Sequence, residues 1–158
     1  MNDKKNKPMT FIDRIARLLD EGKPQAAIDL IYKSNQKSYD IENAYAVCLM
    51  RLGKFDKAIP VLSGILYPRG IASIPEGTPI IYQANFVLAM LKDNKKEGAL
   101  AVLRQFIGKD REHSSVAKLN LAVKQWKKSL NLLDKINLAI GIIPNKPILI
   151  DGILGDLI

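Results

Sequence analysis

The residues able to do chemistry are few and scattered. The single histidine, His113, sits in the polar connector GKDREHSS, where a solvated imidazole is expected rather than a general base held near a nucleophile. The single cysteine, Cys48, lies between Val47 and Leu49, a setting for a small buried hydrophobe more than for a reactive thiol. One cysteine excludes an internal disulfide, and a reducing, cytoplasmic setting is the simplest expectation. No Cys and His pair has zinc-site spacing. No glycine-rich loop runs into a helix with the Lys and Ser or Thr that hold phosphate. In DGILGD, Asp151 and Asp156 stand five residues apart beside glycines, but the alternating oxygen ligands of a calcium loop are missing, so the segment reads as a turn. The expectation is a protein with no catalytic residues, no metal and no cofactor.

Binding is the alternative, and composition allows it. The chain has 158 residues, 47% of them hydrophobic, and a formal charge of +8; that is one domain's worth of core with a bias toward acidic partners, nucleic acid or anionic lipid. The N-terminal MNDKKNKPMT leads into FIDRIARLLDEG, which is amphipathic and charged, so no export signal is expected. The apolar C-terminal stretch is interrupted by Pro144, Lys146, Pro147, Asp151 and Asp156, short of the roughly 20 apolar residues of a membrane-spanning helix.

The elements that must position any binding residues are repeats. EGKPQAAIDLI, LGKFDKAIPVL and DNKKEGALAVL align without a gap, each following an apolar helical stretch. Each unit predicts two antiparallel helices joined by a tight turn. Gly22 and Gly53 suit the end of the first helix, because glycine takes a left-handed conformation at almost no cost. Ala27, Ala58 and Ala99 then let the second helix approach closely. One such pair cannot bury its apolar face alone, so the pairs must stack.

The middle unit carries Tyr45, Ala46, Leu49, Gly53, Phe55, Ala58, Leu62 and Ile65, and in this it resembles the tetratricopeptide repeat family over roughly residues 10–110. The spacing departs from the family: 31 residues separate Ala27 from Ala58 and 41 separate Ala58 from Ala99, against about 34. The first unit lacks the aromatic after its turn, and the third has Asn94 for Gly. The resemblance implies an all-α fold, a right-handed superhelix of stacked helix pairs. A flexible N-terminus is expected over 1–9, the repeats with a long capping helix over 10–137, and an extended apolar tail over 138–158.

The excess spacing is placed in YPRGIASIPEGTP, residues 67–79, whose prolines and glycines forbid a continuous helix. In the capping helix, Ser114 or Ser115 is a plausible cap. Val116, Leu119, Val123, Trp126, Leu130 and Leu133 form one apolar stripe at steps of 3 and 4. Lys124, Lys128 and Lys135 fall within about 40° of each other on the same helix, with Lys127 at the flank. This basic stripe is a candidate for nucleic-acid or anionic-lipid contact, though no interleaved aromatics accompany it.

The resemblance also implies that first helices line a concave groove. By register the groove candidates are Arg14, Arg17, Asn43, Asn85, Lys118 and Lys124. Asn can bond both groups of an extended peptide, and Arg or Lys can receive carboxylates. The expected partner is another protein, supplying an extended, acidic segment to a non-catalytic adaptor or scaffold. The alternatives are a basic nucleic-acid-associated repeat protein and, as small members of that family sometimes are, a dedicated chaperone of one subunit. The tail IGIIPNKPILIDGILGDLI is expected to be extended, with turns at Pro144-Asn145 and Asp151-Gly152. Residues this apolar need a cover: fold-back onto the helices, into the groove as a built-in ligand, or docking on another chain or a membrane protein. Fold-back is the favoured expectation.

Overall fold

The structure is a computed structural model describing residues 8–106, 110, 112–152 and 154–157. The flexible start expected over 1–9 lies, through Lys7, outside the described residues. The fold is all-α. Among the described residues eight α-helices run in chain order: α1 (Phe11–Asp20), α2 (Pro24–Ser34), α3 (Tyr39–Arg51), α4 (Phe55–Leu66), α5 (Ile80–Lys92), α6 (Lys96–Leu103), α7 (Ser114–Ser129) and α8 (Leu132–Ala139). Among the described residues there is no strand.

The three hairpins close in the same way. At each first turn, one residue takes a left-handed backbone: Gly22 (φ +70°), Gly53 (φ +72°) and Asn94 (φ +59°). The next amide reaches back to the last turn of the preceding helix: Lys23 N donates to Leu18 O (2.8 Å), Lys54 N to Leu49 O (2.9 Å) and Lys95 N to Met90 O (2.8 Å). The left-handed residue's own amide donates to Leu19, Met50 and Leu91 respectively. This pair of bonds satisfies carbonyls that the helix end leaves free. Asn94 replaces glycine because Asn tolerates the left-handed region better than other side chains.

Beyond each turn, Ala27, Ala58 and Ala99 are fully buried, so second helices pack closely on first ones. Each helix from α1 to α5 packs on the next, and the first helices also meet one another: α1 on α3, α3 on α5, α5 on α7. The core runs through these contacts, with Ile15, Val47, Met50, Leu62, Leu66, Val87 and Val116 fully buried. Each such aliphatic stabilises the fold by about 1.5–3 kcal/mol. Between α3 and α5, the buried Tyr82 hydroxyl donates to the Asp40 carboxylate, and burial, reinforced by that carboxylate, pushes the phenol well above its usual value.

The loop over 67–79 contains one short 3-10 turn, Pro68–Gly70, and is otherwise irregular. The single long capping helix is not observed. Helix α7 ends at Ser129, Leu130 takes an extended backbone (ψ 142°), and α8 starts anew at Asn131, whose Oδ1 accepts from Asp134 N at 2.8 Å. The apolar stripe follows α7 as far as the buried Trp126 and Leu130, then stops: Leu133 is 66% exposed. The start of α7 also differs from expectation. His113 is the cap, its Nδ1 accepting from Ser115 N at 3.3 Å, and the Ser115 hydroxyl is free for another task.

Candidate functional site: a groove closed by the tail

Helices α3, α5 and α7 lie side by side, and each contributes a buried polar side chain toward one point. Asn43 on α3 and Asn85 on α5 are essentially inaccessible, as is Ser115 at the start of α7. Buried amides and hydroxyls are costly unless bonded. Here the partner is the backbone of the tail. Asn85 Nδ2 donates to Asp156 O at 2.7 Å and to Asn43 Oδ1 at 2.9 Å, while Asn85 Oδ1 accepts from Asp156 N at 3.0 Å. One amide side chain thus grips both backbone groups of one residue. Asn43 Nδ2 adds a longer bond to Asp156 O at 3.4 Å, and Ser115 Oγ donates to Asp156 Oδ2 at 2.6 Å.

The same pattern continues along the tail. The Arg51 guanidinium donates through Nε to Leu154 O and through Nη2 to Gly155 O, the latter at 3.1 Å. Lys92 Nζ donates to Ile150 O at 3.0 Å, Lys96 Nζ to Asn145 O at 3.1 Å, and Trp126 Nε1 to Lys146 O at 2.8 Å. In return, Lys146 Nζ donates to Ser129 O at 2.7 Å. Three cations therefore bond tail carbonyls rather than carboxylates, which recognises a non-helical backbone largely independent of side-chain identity. Lys96 is almost wholly buried, and burial holds its ammonium below the ordinary lysine value. Among the described residues no buried side-chain nitrogen or oxygen lacks a partner.

Side chains add selectivity at three places. Pro144, Ile148 and Ile150 are buried against the helices. Gly155 has φ +79°, and a Cβ there would stand 3.1 and 3.2 Å from the Val47 methyl carbons, so a larger residue is both strained and crowded. At Gly152 a Cβ would stand 3.2 Å from Lys118 Nζ. Between Asp156, Gly155 and Ile150 on one side and Asn85, Leu88, Ser115 and Lys118 on the other, about 20 Å³ remains. That is room for about one water molecule. The groove is filled.

Of the groove candidates, Asn43 and Asn85 converge on Asp156, and Lys118 lies beside Gly152. Arg14 and Arg17 are elsewhere: with Leu18, Glu21, Asp29 and Lys33 they line a depression of about 560 Å³ between α1 and α2, where Arg17 Nε meets Glu21 Oε1 at 3.0 Å. Lys124 lines a third depression, about 440 Å³, with Lys127, Lys128 and Lys135, so the basic stripe survives the helix break as a cluster. Sequence reasoning missed Arg51, Lys92, Lys96, Ser115 and Trp126 as tail contacts. A signal existed for two of them: Arg51 and Lys92 are the last residues of α3 and α5, spaced like Ala58 and Ala99.

The remaining reactive types are occupied or shielded. Burial pushes the Cys48 thiol up to about 12, against the weaker opposing pull of Arg51. Such a thiol stays protonated and unreactive near neutrality. His113 caps α7. Among the described residues no group of His, Cys, Asp and Glu is placed to hold a metal ion, and no helix is long and apolar enough to cross a membrane. No family model, curated protein or solved structure matches this chain.

Proposed function

We propose that the protein is a non-catalytic protein-interaction module of the tetratricopeptide type, a superhelical stack of helix pairs whose groove takes an extended segment of a partner protein. The observation that carries this reading is the two-way grip of Asn85 on the backbone of Asp156. A side chain that bonds both the N–H and the C=O of one residue suits polypeptide. Adenine offers an Asn amide a comparable pair, so the reading also leans on Arg51, Lys92, Lys96 and Trp126, which bond further backbone carbonyls along the tail.

The tail is read as a built-in ligand that holds the groove until a competing segment arrives. Its sequence then suggests the partner: a glycine against Val47, an acidic residue under Ser115 and near Lys118, and an apolar residue after it. A tethered tail, present at a high local concentration, would be a threshold that a partner must exceed. The test is a chain ending at Ile142, compared with the full chain, for binding of a labelled peptide spanning Asn145 to Ile158. The expected result is saturable binding to the shortened chain, weakened in Asn85→Ala, and little binding to the full chain. Equal binding by both chains, or binding indifferent to Asn85, would overturn the reading.

A further inference from the structure

The C-terminal helix α8 is built the wrong way round for a helix on a protein surface. None of its residues is buried, and its large apolar side chains face outward: Leu132 is 75% exposed, Leu133 66%, Ile136 51%, and Ile140 just beyond the helix 69%. At 100° per residue these four span about 100° of the helix surface. Leu138, about 180° from the centre of that stripe, is the residue that packs against the core. Ile142, also more than half exposed, follows Ile140. A contiguous apolar patch of this kind on a folded chain marks an interaction surface.

Its surroundings identify what it meets. Lys135, on the flank of the stripe next to Leu132, joins Lys124, Lys127 and Lys128 of α7 around one depression. The acid of α8, Asp134, lies on the far side of the helix from the apolar stripe, next to its cap Asn131. A second copy of the chain packed face to face by a two-fold axis would bring two such lysine clusters together, and like charges oppose that contact. A surface that is apolar a few ångströms down and negatively charged at its edge satisfies both halves at once.

We propose that α8 and the adjoining lysines dock the protein on an anionic lipid surface, with α8 lying in the interface plane. Leu132, Leu133, Ile136 and Ile140 enter the boundary between head groups and acyl chains. Lys124, Lys127, Lys128 and Lys135 meet the lipid phosphates. Neither half suffices alone, since stable peripheral binding takes an apolar insertion together with a basic patch. This inference does not depend on the groove or its ligand.

The test is co-sedimentation of the full chain with phosphatidylcholine vesicles and with vesicles that also contain phosphatidylglycerol. Binding is expected only to the anionic vesicles. Replacing Leu132, Leu133 and Ile136 by Gln, or Lys124, Lys127, Lys128 and Lys135 by Gln, should each weaken it by about tenfold or more, because each removes one of two required signals. All seven positions are exposed, so circular dichroism should show both variants folded. In Leu133→Trp, the added indole emission should shift to the blue on anionic vesicles. Three results overturn the proposal: no binding to anionic vesicles, binding that the apolar variant leaves intact, as expected of a basic patch meant for RNA, or sedimentation velocity showing that the apolar variant turns a dimer into a monomer.

Discussion

Two neighbouring segments near the C-terminus are both rich in apolar residues and end up in different places. The described residues of the tail bond into the groove, with Ile148 and Ile150 buried and Leu149 exposed, whereas α8 leaves Leu132, Leu133 and Ile136 in the open. Apolar content does not separate them. What differs is the backbone. Helix α8 satisfies its own N–H and C=O groups internally, so the groove has nothing to offer it beyond apolar contact. The irregular tail does not do so, and the groove supplies Asn85, Arg51, Lys92, Lys96 and Trp126 to bond it. An extended chain is buried only where its backbone partners are already waiting.

This contrast is broken most directly at Asn85. Asn85→Ala removes the grip on Asp156 and strands the Asn43 amide in a buried site, so about 3 kcal/mol of stability should be lost, measured by urea denaturation. The same variant should release the tail, seen as accelerated amide exchange over 147–157 while α1 and α2 are unchanged. Stability within 1 kcal/mol of the parent, roughly the ordinary effect of one neutral hydrogen bond, would mean that the groove network is incidental.

Gly155→Ala should cost about 2 kcal/mol, from a left-handed backbone and crowding against Val47. Its effect is also expected to be confined to tail exchange. A variant with intact tail protection would show that the contact yields easily.

A third effect concerns α3 itself. The thiol of Cys48 titrates ordinarily at 9.0 and is pushed up to about 12 in the fold. Because the folded value is raised, the associated stability is fully present below pH 9 and is lost as pH rises from 9 toward 12. The slope in that window approaches about 1.4 kcal/mol per pH unit. In Cys48→Ala the slope between pH 9 and 10 should flatten, read from urea midpoints in a pH series; an unchanged slope there would show that the thiol is not the titrating group.

The smallest effect belongs to α8. Leu133→Gln should change stability by no more than about 0.5 kcal/mol, since the side chain is exposed. A loss several times larger would mean that the apolar face is covered by something within the same chain.

Much of the architecture was legible in the residues. The three turns show in Gly22, Gly53 and Asn94, and the close helix contacts in Ala27, Ala58 and Ala99, because each position admits only small or left-handed-tolerant residues. Asn43 and Asn85 stood out differently, by their register on the first helices of the second and third units. The break before α8 did not, because the apolar stripe continues in step through Leu133, so periodicity alone predicts one helix. The competing signal was Asn131 with Asp134 three residues later, a helix start that the stripe concealed. Arg51 and Lys92 were hidden differently. A cation at the last position of a helix is commonly explained by the helix dipole, and only the folded tail gives these two a shared role. The first unit has Asp20 at the matching position, so this cationic row belongs to α3 and α5.

The central claim is that the groove holds the tail through Asn85, and the Asp156 amide reports on it most directly, since its N–H donates to Asn85 Oδ1 at 3.0 Å. Hydrogen exchange measured at that amide in the full chain should be slowed by about a hundredfold or more relative to the free peptide, the protection expected of a locally stable unit. Asn85→Ala should abolish the protection. Exchange at the free-peptide rate in the parent protein would contradict the account.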